Sequence, residues 1–313
     1  MERFTGTEAI GRRLVRPVLT VGNFDGIHVG HRAILDIVVA RARALDGEAV
    51  VHTFEPHPRK VLHPERAPCL LTTLGQKLEL LEAAGVDVVV LEPFTLEYAR
   101  TPAEVFIRDR LHGRIAPVEV YVGYDFHFGR DREGSMRLLT ELGPRLGFAV
   151  TIIPEVTIDA GDVNSTRIRQ LLMQAEIAKA NEMLGRAYTV RGKVVKGQQR
   201  GRSLGFPTAN LEPENEVLPA PGVYAGRARF LDEDAGATHP MVTNVGTRPT
   251  FEDSDHVVAE AHLIDFDGDL YGRRLELSFE QHLRPERRFD GAEALRRQIR
   301  ADIDDARLRL GAA

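Results

Sequence analysis

Two rhythms of hydrophobic residues divide the chain. In the first, short and almost unbroken apolar runs recur at Val18–Val21, Ala49–Phe54, Val86–Leu91, Val118–Val122 and Ala149–Ile153. Runs this short and rich in β-branched residues suit strands covered on both faces, as in a parallel sheet. Helical patterns lie between them. Ile34, Leu35, Val38, Val39 and Ala42 recur at helical spacing. Thr73 with Gln76, and Thr101-Pro102 with Glu104, read as capping boxes, the second with proline at the first helical position. The alternation predicts a doubly wound α/β parallel sheet over roughly residues 16–172.

The rhythm changes near residues 185–188. Apolar stretches at Tyr188–Val195, Val223–Phe230, Pro240–Val245, Val257–Ile264 and Arg274–Phe279 are separated by Gly, Pro and Asp turns with no helix between them. That spacing predicts an antiparallel β-barrel or sandwich, of which the barrel is the expectation. A C-terminal helix comes next, with Leu295, Ile299, Ile303 and Leu310 on one stripe. The expected domains are residues 1–185 and 186–313.

Composition narrows the class. The 313 residues are 43% hydrophobic and 28% charged, an ordinary globular balance that rules out a largely disordered chain. The single cysteine, Cys69, excludes an internal disulfide and points to a reducing compartment. No apolar stretch approaches the ~20 residues of a membrane helix, and the polar segment 1–16 lacks the apolar core of a signal peptide. A cytoplasmic protein is expected, without membrane association. A net charge of −5, 6% aromatic residues and no tryptophan give no reason to expect nucleic acid as a partner.

Chemistry-bearing residues gather after strand ends, where open parallel sheets bind ligands. The first strand runs into Gly22-Asn23-Phe24-Asp25-Gly26-Ile27-His28-Val29-Gly30-His31. Glycines let backbone approach a ligand closely, and a helix N-terminus with two imidazoles suits a phosphate that gains charge during reaction. A zinc pair and a plain polar turn are the competing readings; for zinc, His52 and His57 are within the same half, but no third ligand is evident. The second group is Asn164-Ser165-Thr166-Arg167-Ile168-Arg169. Ser165 or Thr166 is the expected N-cap, and Arg167 and Arg169 then lie in a first turn whose dipole repels cations unless an anion binds there.

With Thr53-Phe54-Glu55-Pro56-His57-Pro58 and Gly123-Tyr124-Asp125-Phe126-His127-Phe128-Gly129, these motifs resemble the nucleotidyltransferases that share a H-x-G-H signature. Their order resembles the adenylyltransferase half of prokaryotic bifunctional riboflavin kinase/FAD synthetases. The resemblance continues through Gly201-Arg202-Ser203-Leu204-Gly205-Phe206-Pro207-Thr208-Ala209-Asn210, which is similar to the riboflavin kinase glycine loop and its P-T-A-N motif. It extends over Asn244-Val245-Gly246, Glu260-Ala261-His262 and Leu283-Arg284-Pro285.

The resemblance implies phosphorylation of riboflavin to FMN in the barrel, then AMP transfer from ATP to FMN in the α/β half, giving FAD and pyrophosphate. It implies that His28, His31 and Arg169 steady the phosphates, with Gly22, Asn23, Phe24, Gly30, Ser165 and Thr166 around the nucleotide. Gly201 and Gly205 would cradle ATP in the barrel, and Thr208 and Asn210 would hold Mg²⁺, whose hard character suits their oxygens. Glu260 would accept the proton of the attacking alcohol, while Asp125 and Arg284 would contact the flavin. Riboflavin, FMN, FAD and ATP are the implied ligands. His127 stands where the family commonly has arginine, and Asn164 where it commonly has serine. A nucleotidyltransferase for another phosphorylated metabolite, with the barrel as accessory, stays open, as does a non-catalytic flavin-binding module.

Overall fold

Strand formation in the first half stems directly from its apolar runs. In the computed structural model, which describes residues 1–159, 161–196, 205–232, 238–248 and 256–311, the chain packs as two units, Met1–Val163 and Asn164–Ala313. The first unit carries β1 (Glu2–Thr5), β2 (Val18–Val21), β3 (Ala49–Glu55), β4 (Val88–Pro93), β5 (Glu119–Gly123) and β6 (Ala149–Ile153). All six pair in parallel in the order β1-β4-β3-β2-β5-β6. Val18, Leu19, Val50, Val51, Val88, Val89 and Val90 are fully buried, which explains why the sequence shows runs rather than alternation. Each such side chain contributes roughly 1.5–3 kcal/mol relative to exposure. A short antiparallel pair, β7 (Thr157–Ile158) and β8 (Gly161–Asp162), closes this unit outside the main sheet.

Helices cover both faces: α1 (Val29–Ala44), α2 (Pro58–Leu62), α3 (Leu74–Ala83), α4 (Ala103–Val105) with a π-helix over Phe106–Ile115, and α5 (Met136–Arg145). Helix α1 buries Leu35, Val38 and Ala42, three of the residues marked by its spacing. The capping box of α3 forms on both sides, Thr73 accepting from the Gln76 amide and Gln76 from the Thr73 amide. The second expected box does not. Pro102, not Thr101, flanks α4, the Ala103 amide donates to Glu133 at 2.9 Å, and Glu104 pairs with Arg108.

Strand β1 was absent from the sequence-based expectation. Its residues are mostly exposed, and its backbone pairing to β4 (Glu2 opposite Val88) leaves no apolar signature. Glu92, 5% exposed on β4, anchors the segment after β1. Its carboxylate accepts from the Thr7 amide at 2.9 Å and lies 3.2 Å from His52 Nε2.

The second unit begins with α6 (Ser165–Met173) and α7 (Ile177–Leu184). It continues into β9 (Tyr188–Val195), β10 (Ala209–Pro213), β11 (Gly222–Phe230), β12 (Thr238–Arg248), β13 (His256–Leu263) and β14 (Arg274–Arg284), and ends in α8 (Ala292–Leu310). The barrel strands close antiparallel in the order β10-β13-β12-β11-β14-β9. Ile303, Ala306 and Leu310 of α8 pack on Val223, Ala225, Val242 and Ile264. Asn181 of α7 clasps the barrel, donating to the Phe279 carbonyl and accepting from the Tyr188 amide.

Candidate active sites

Sheet order sets the first site. The chain runs from β2 outward through β3 to β4, then returns to place β5 on the other side of β2. The crevice beyond the carboxyl end of β2 is therefore the topological switch point. The Gly22–His31 turn occupies it. Phe24 (φ 50°) and Ile27 (φ 37°) are held in left-handed backbone, costly for non-glycine residues, and both side chains are buried.

His28 is the N-cap of α1, its Nδ1 accepting from the His31 amide at 3.3 Å. Acceptance at Nδ1 puts the neutral ring's proton on Nε2, making that atom a donor. The His28 and His31 rings stack at 3.7 Å, and Phe24 lies 5.1 Å from His31. Burial, then the nearby His28 and Lys77, push the His31 pKa well below 6.5. That shift disfavours the cationic form of His31. A Cβ on Gly22 or Gly30 would lie 3.2 Å from the Phe24 or His28 ring; these glycines make room for the rings themselves. Of the other histidines, His52 is engaged with Glu92, and His57 caps α2.

The start of α3 is laced to this turn. Asp25 accepts from the Leu71 and Thr72 amides at 2.9 and 3.4 Å, and the Gly26 amide donates to Thr72 Oγ1 at 3.3 Å. Beyond β5, Asp125 is exposed in a turn closed by the Phe126 amide on the Gly123 carbonyl. His127 is exposed too, 3.2 Å from an Arg132 nitrogen. The motif reading passed over half-buried Phe54, Phe94 and Tyr98 at the ends of β3 and β4, whose rings touch at 5.7–6.1 Å. An aromatic at or just beyond each strand end was the available signal.

In the second unit, Asn164 rather than Ser165 or Thr166 caps α6, accepting from the Arg167 amide at 2.9 Å. Ser165 and Thr166 open the helix, and Ser165, Arg167 and Arg169 are half-buried.

The barrel aligns its own group. Asn210 on β10 stands directly opposite Glu260 on β13, and Glu260 stands opposite Asn244 on β12. Directly paired residues put their side chains on one face with Cβ atoms ~4.5–5.5 Å apart. Asn210 is buried, Glu260 half-buried, and Thr208 lies just ahead of β10. Asn244 Nδ2 donates to Glu286 at 3.3 Å. Next to this row is a cleft of about 570 Å³ lined by Gly205, Phe206, Pro207, His262, Asp265 and Arg300, among others. The Pro207 carbonyl lies 2.8 Å from His262 Nδ1. Arg284 is fastened to α8 by two-pronged pairing with Asp302, with contacts as short as 2.8 Å. Gly201 lies outside the described residues.

Both halves match known families: FAD synthetase over residues 12–167 and riboflavin kinase over residues 184–310. A Pseudomonas fluorescens bifunctional riboflavin kinase/FMN adenylyltransferase is 40% identical over 93% of this chain and 92% of its own length. The Escherichia coli K12 protein of that name is 38% identical over 93% and 91%, and the Haemophilus influenzae one 34% over 98% of both chains. A solved Streptococcus pneumoniae structure described as a macrolide-efflux protein superposes with a TM-score of 0.87, at 28% identity, over 97% of this chain and 98% of that one. No helix among the described residues is long and apolar enough to cross a membrane. Fold and matches together define a two-domain nucleotide-dependent transferase. The chain belongs to the bifunctional riboflavin kinase/FMN adenylyltransferase family.

Proposed function

We propose that this chain makes FAD from riboflavin in two ATP-dependent steps, one in each unit, in the cytoplasm. In the barrel, the riboflavin 5′-hydroxyl attacks the γ-phosphorus of ATP. Its proton passes to Glu260, the bond to the β–γ bridging oxygen breaks, and ADP leaves with FMN as product. In the α/β unit, the FMN phosphate oxygen attacks the α-phosphorus of a second ATP, and pyrophosphate departs. That phosphate is already an anionic nucleophile, so positioning and charge stabilisation carry the step.

The observation carrying the kinase reading is the single row formed by Asn210 and Glu260, residues 50 positions apart in sequence. The oxygens of Thr208 and Asn210 are neutral and hard, a set that fits Mg²⁺ retaining most of its waters. Bound there, Mg²⁺ would neutralise phosphate charge. In the other unit, Nε2–H of His28 and the His31 ring donate toward the α-phosphate and the leaving pyrophosphate. The amides opening α1 add their positive end. Gly22, Asn23, Phe24 and Gly30 shape the nucleotide's berth. Phe54, Phe94 and Tyr98, whose rings meet tilted or edge to face, offer an apolar surface for the isoalloxazine ring, and Asp125 contacts the flavin. Arg284, oriented by Asp302, faces the flavin of the kinase step.

The test supplies riboflavin, ATP and Mg²⁺ and separates the flavins by chromatography. FMN and then FAD is the expected result. FMN without FAD refutes the adenylyltransferase step, and neither product refutes both.

A further inference from the structure

Lys77 is 4% exposed, and among the described residues its ammonium makes no hydrogen bond or ion pair. Lysines this buried normally have a partner. Helix α3 runs from the N-cap Thr73, so Lys77 lies at its beginning, where the helix dipole repels a cation. Asp25 and Glu55 are near enough for their charges to be felt, yet burial prevails and the Lys77 pKa is lowered. Burial and dipole thus work against a charge that no described residue meets in a hydrogen bond or ion pair.

The position makes that charge useful. The residues just before α3 are bonded to the glycine turn through Asp25 and Thr72, which fixes the beginning of α3 beside the switch-point crevice. Lys77 is also close enough to His31 to depress its pKa. The Nδ1 atom of His31 is buried with no hydrogen-bond partner among the described residues. An unpaired ammonium, an unsatisfied imidazole nitrogen and the positive end of α1 therefore converge on one crevice.

Resting on the adenylyltransferase reading of this crevice, we propose that Lys77 is a phosphate-binding residue of the FAD-forming step, its ammonium contacting a phosphate of ATP or of FMN beside His31. A bound phosphate removes the mismatch between burial and charge, and the charge then serves only the liganded state. This differs from an exposed lysine steering anions by long-range attraction, because a buried group selects by contact.

The experiment uses the full chain with Lys77→Met, which keeps the side chain's bulk, and Lys77→Arg, which keeps the charge. FAD formation from supplied FMN is measured with ATP and FMN varied separately, together with calorimetric titration of each ligand. Riboflavin phosphorylation reports on folding. Lys77→Met is expected to lower kcat/KM for FAD formation at least tenfold while FMN formation stays within twofold, with Lys77→Arg intermediate. Weaker ATP binding assigns the nucleotide phosphate, and weaker FMN binding the flavin phosphate. If Lys77→Met does not fold, Lys77→Gln carries the same comparison. Unchanged kcat/KM and binding in a folded variant overturn the proposal, as does a loss fully explained by a lower folded fraction in thermal melts. A wild-type chain that forms no FAD refutes the underlying adenylyltransferase reading instead.

Discussion

His28 has two separable duties, and substitutions can divide them. As the N-cap of α1 it accepts the His31 amide at 3.3 Å, and its ring stacks on His31 at 3.7 Å. In the proposed adenylyl transfer, its Nε2–H donates to the reacting phosphate. His28→Ala removes the cap, worth about 1 kcal/mol, and the ring contact, worth about 0.5–1.5 kcal/mol, so stability should fall by about 2 kcal/mol. His28→Asn retains a good capping acceptor and loses mainly the ring contact, about 1 kcal/mol. Both variants lack the Nε2 donor, and removal of one preorganised donor costs about 10²–10³ in rate. Urea unfolding monitored by circular dichroism should rank wild type, Asn and Ala in falling order. FAD formation from supplied FMN should drop about 10²–10³-fold in both. FMN formation from riboflavin should stay close to wild type. An Asn variant within about threefold of wild type in FAD formation would show that His28 acts only as a cap, since the lost donor should cost far more.

Other perturbations address the remaining residues. Asn210→Ala or Glu260→Ala should abolish FMN formation yet leave FAD synthesis from supplied FMN intact; loss of both reactions in a folded variant would rule out independent sites. Glu92→Leu strips the Thr7 amide and the His52 ring of their buried acceptor. At about 1–3 kcal/mol for each unsatisfied group, denaturant melts should show a loss of about 2–6 kcal/mol, and a loss under about 1 kcal/mol would contradict the buried pairing. His31 has a folded pKa well below its unfolded 6.5, so the native state resists a proton that the unfolded chain accepts. Its contribution is intact above about pH 6.5 and is lost as pH falls toward the folded pKa, at up to about 1.4 kcal/mol per pH unit. His31→Asn should flatten the wild-type decline in stability between about pH 6.5 and 5, and an unchanged slope would refute it.

Local patterning made much of the fold readable. The apolar runs gave β2 to β6 because strands buried on both faces leave no polar alternation. The barrel strands were also visible, apart from β10, whose short Ala209–Pro213 run carries too few apolar residues to stand out before its ladder to β13 is seen. Strand β1 escaped because its pairing is carried by backbone, to which hydrophobicity is blind. The two capping errors share a cause: side chains compete for helix-start amides, and a distant residue such as Glu133 can win at Ala103. Candidate site residues stand out where a motif names them. Their alignment does not, because the register that sets Asn210 opposite Glu260, and Glu260 opposite Asn244, is a long-range property. Lys77 carries no motif, and only its burial without a partner marks it.

Phosphorus labelling tests the two-step account most directly. With riboflavin and Mg²⁺, label from the γ-position of ATP should appear in FMN and persist in FAD, whereas label from the α-position should appear in FAD and never in FMN. Label from the α-position in FMN, or FAD that carries label from only one of the two positions, would contradict the account.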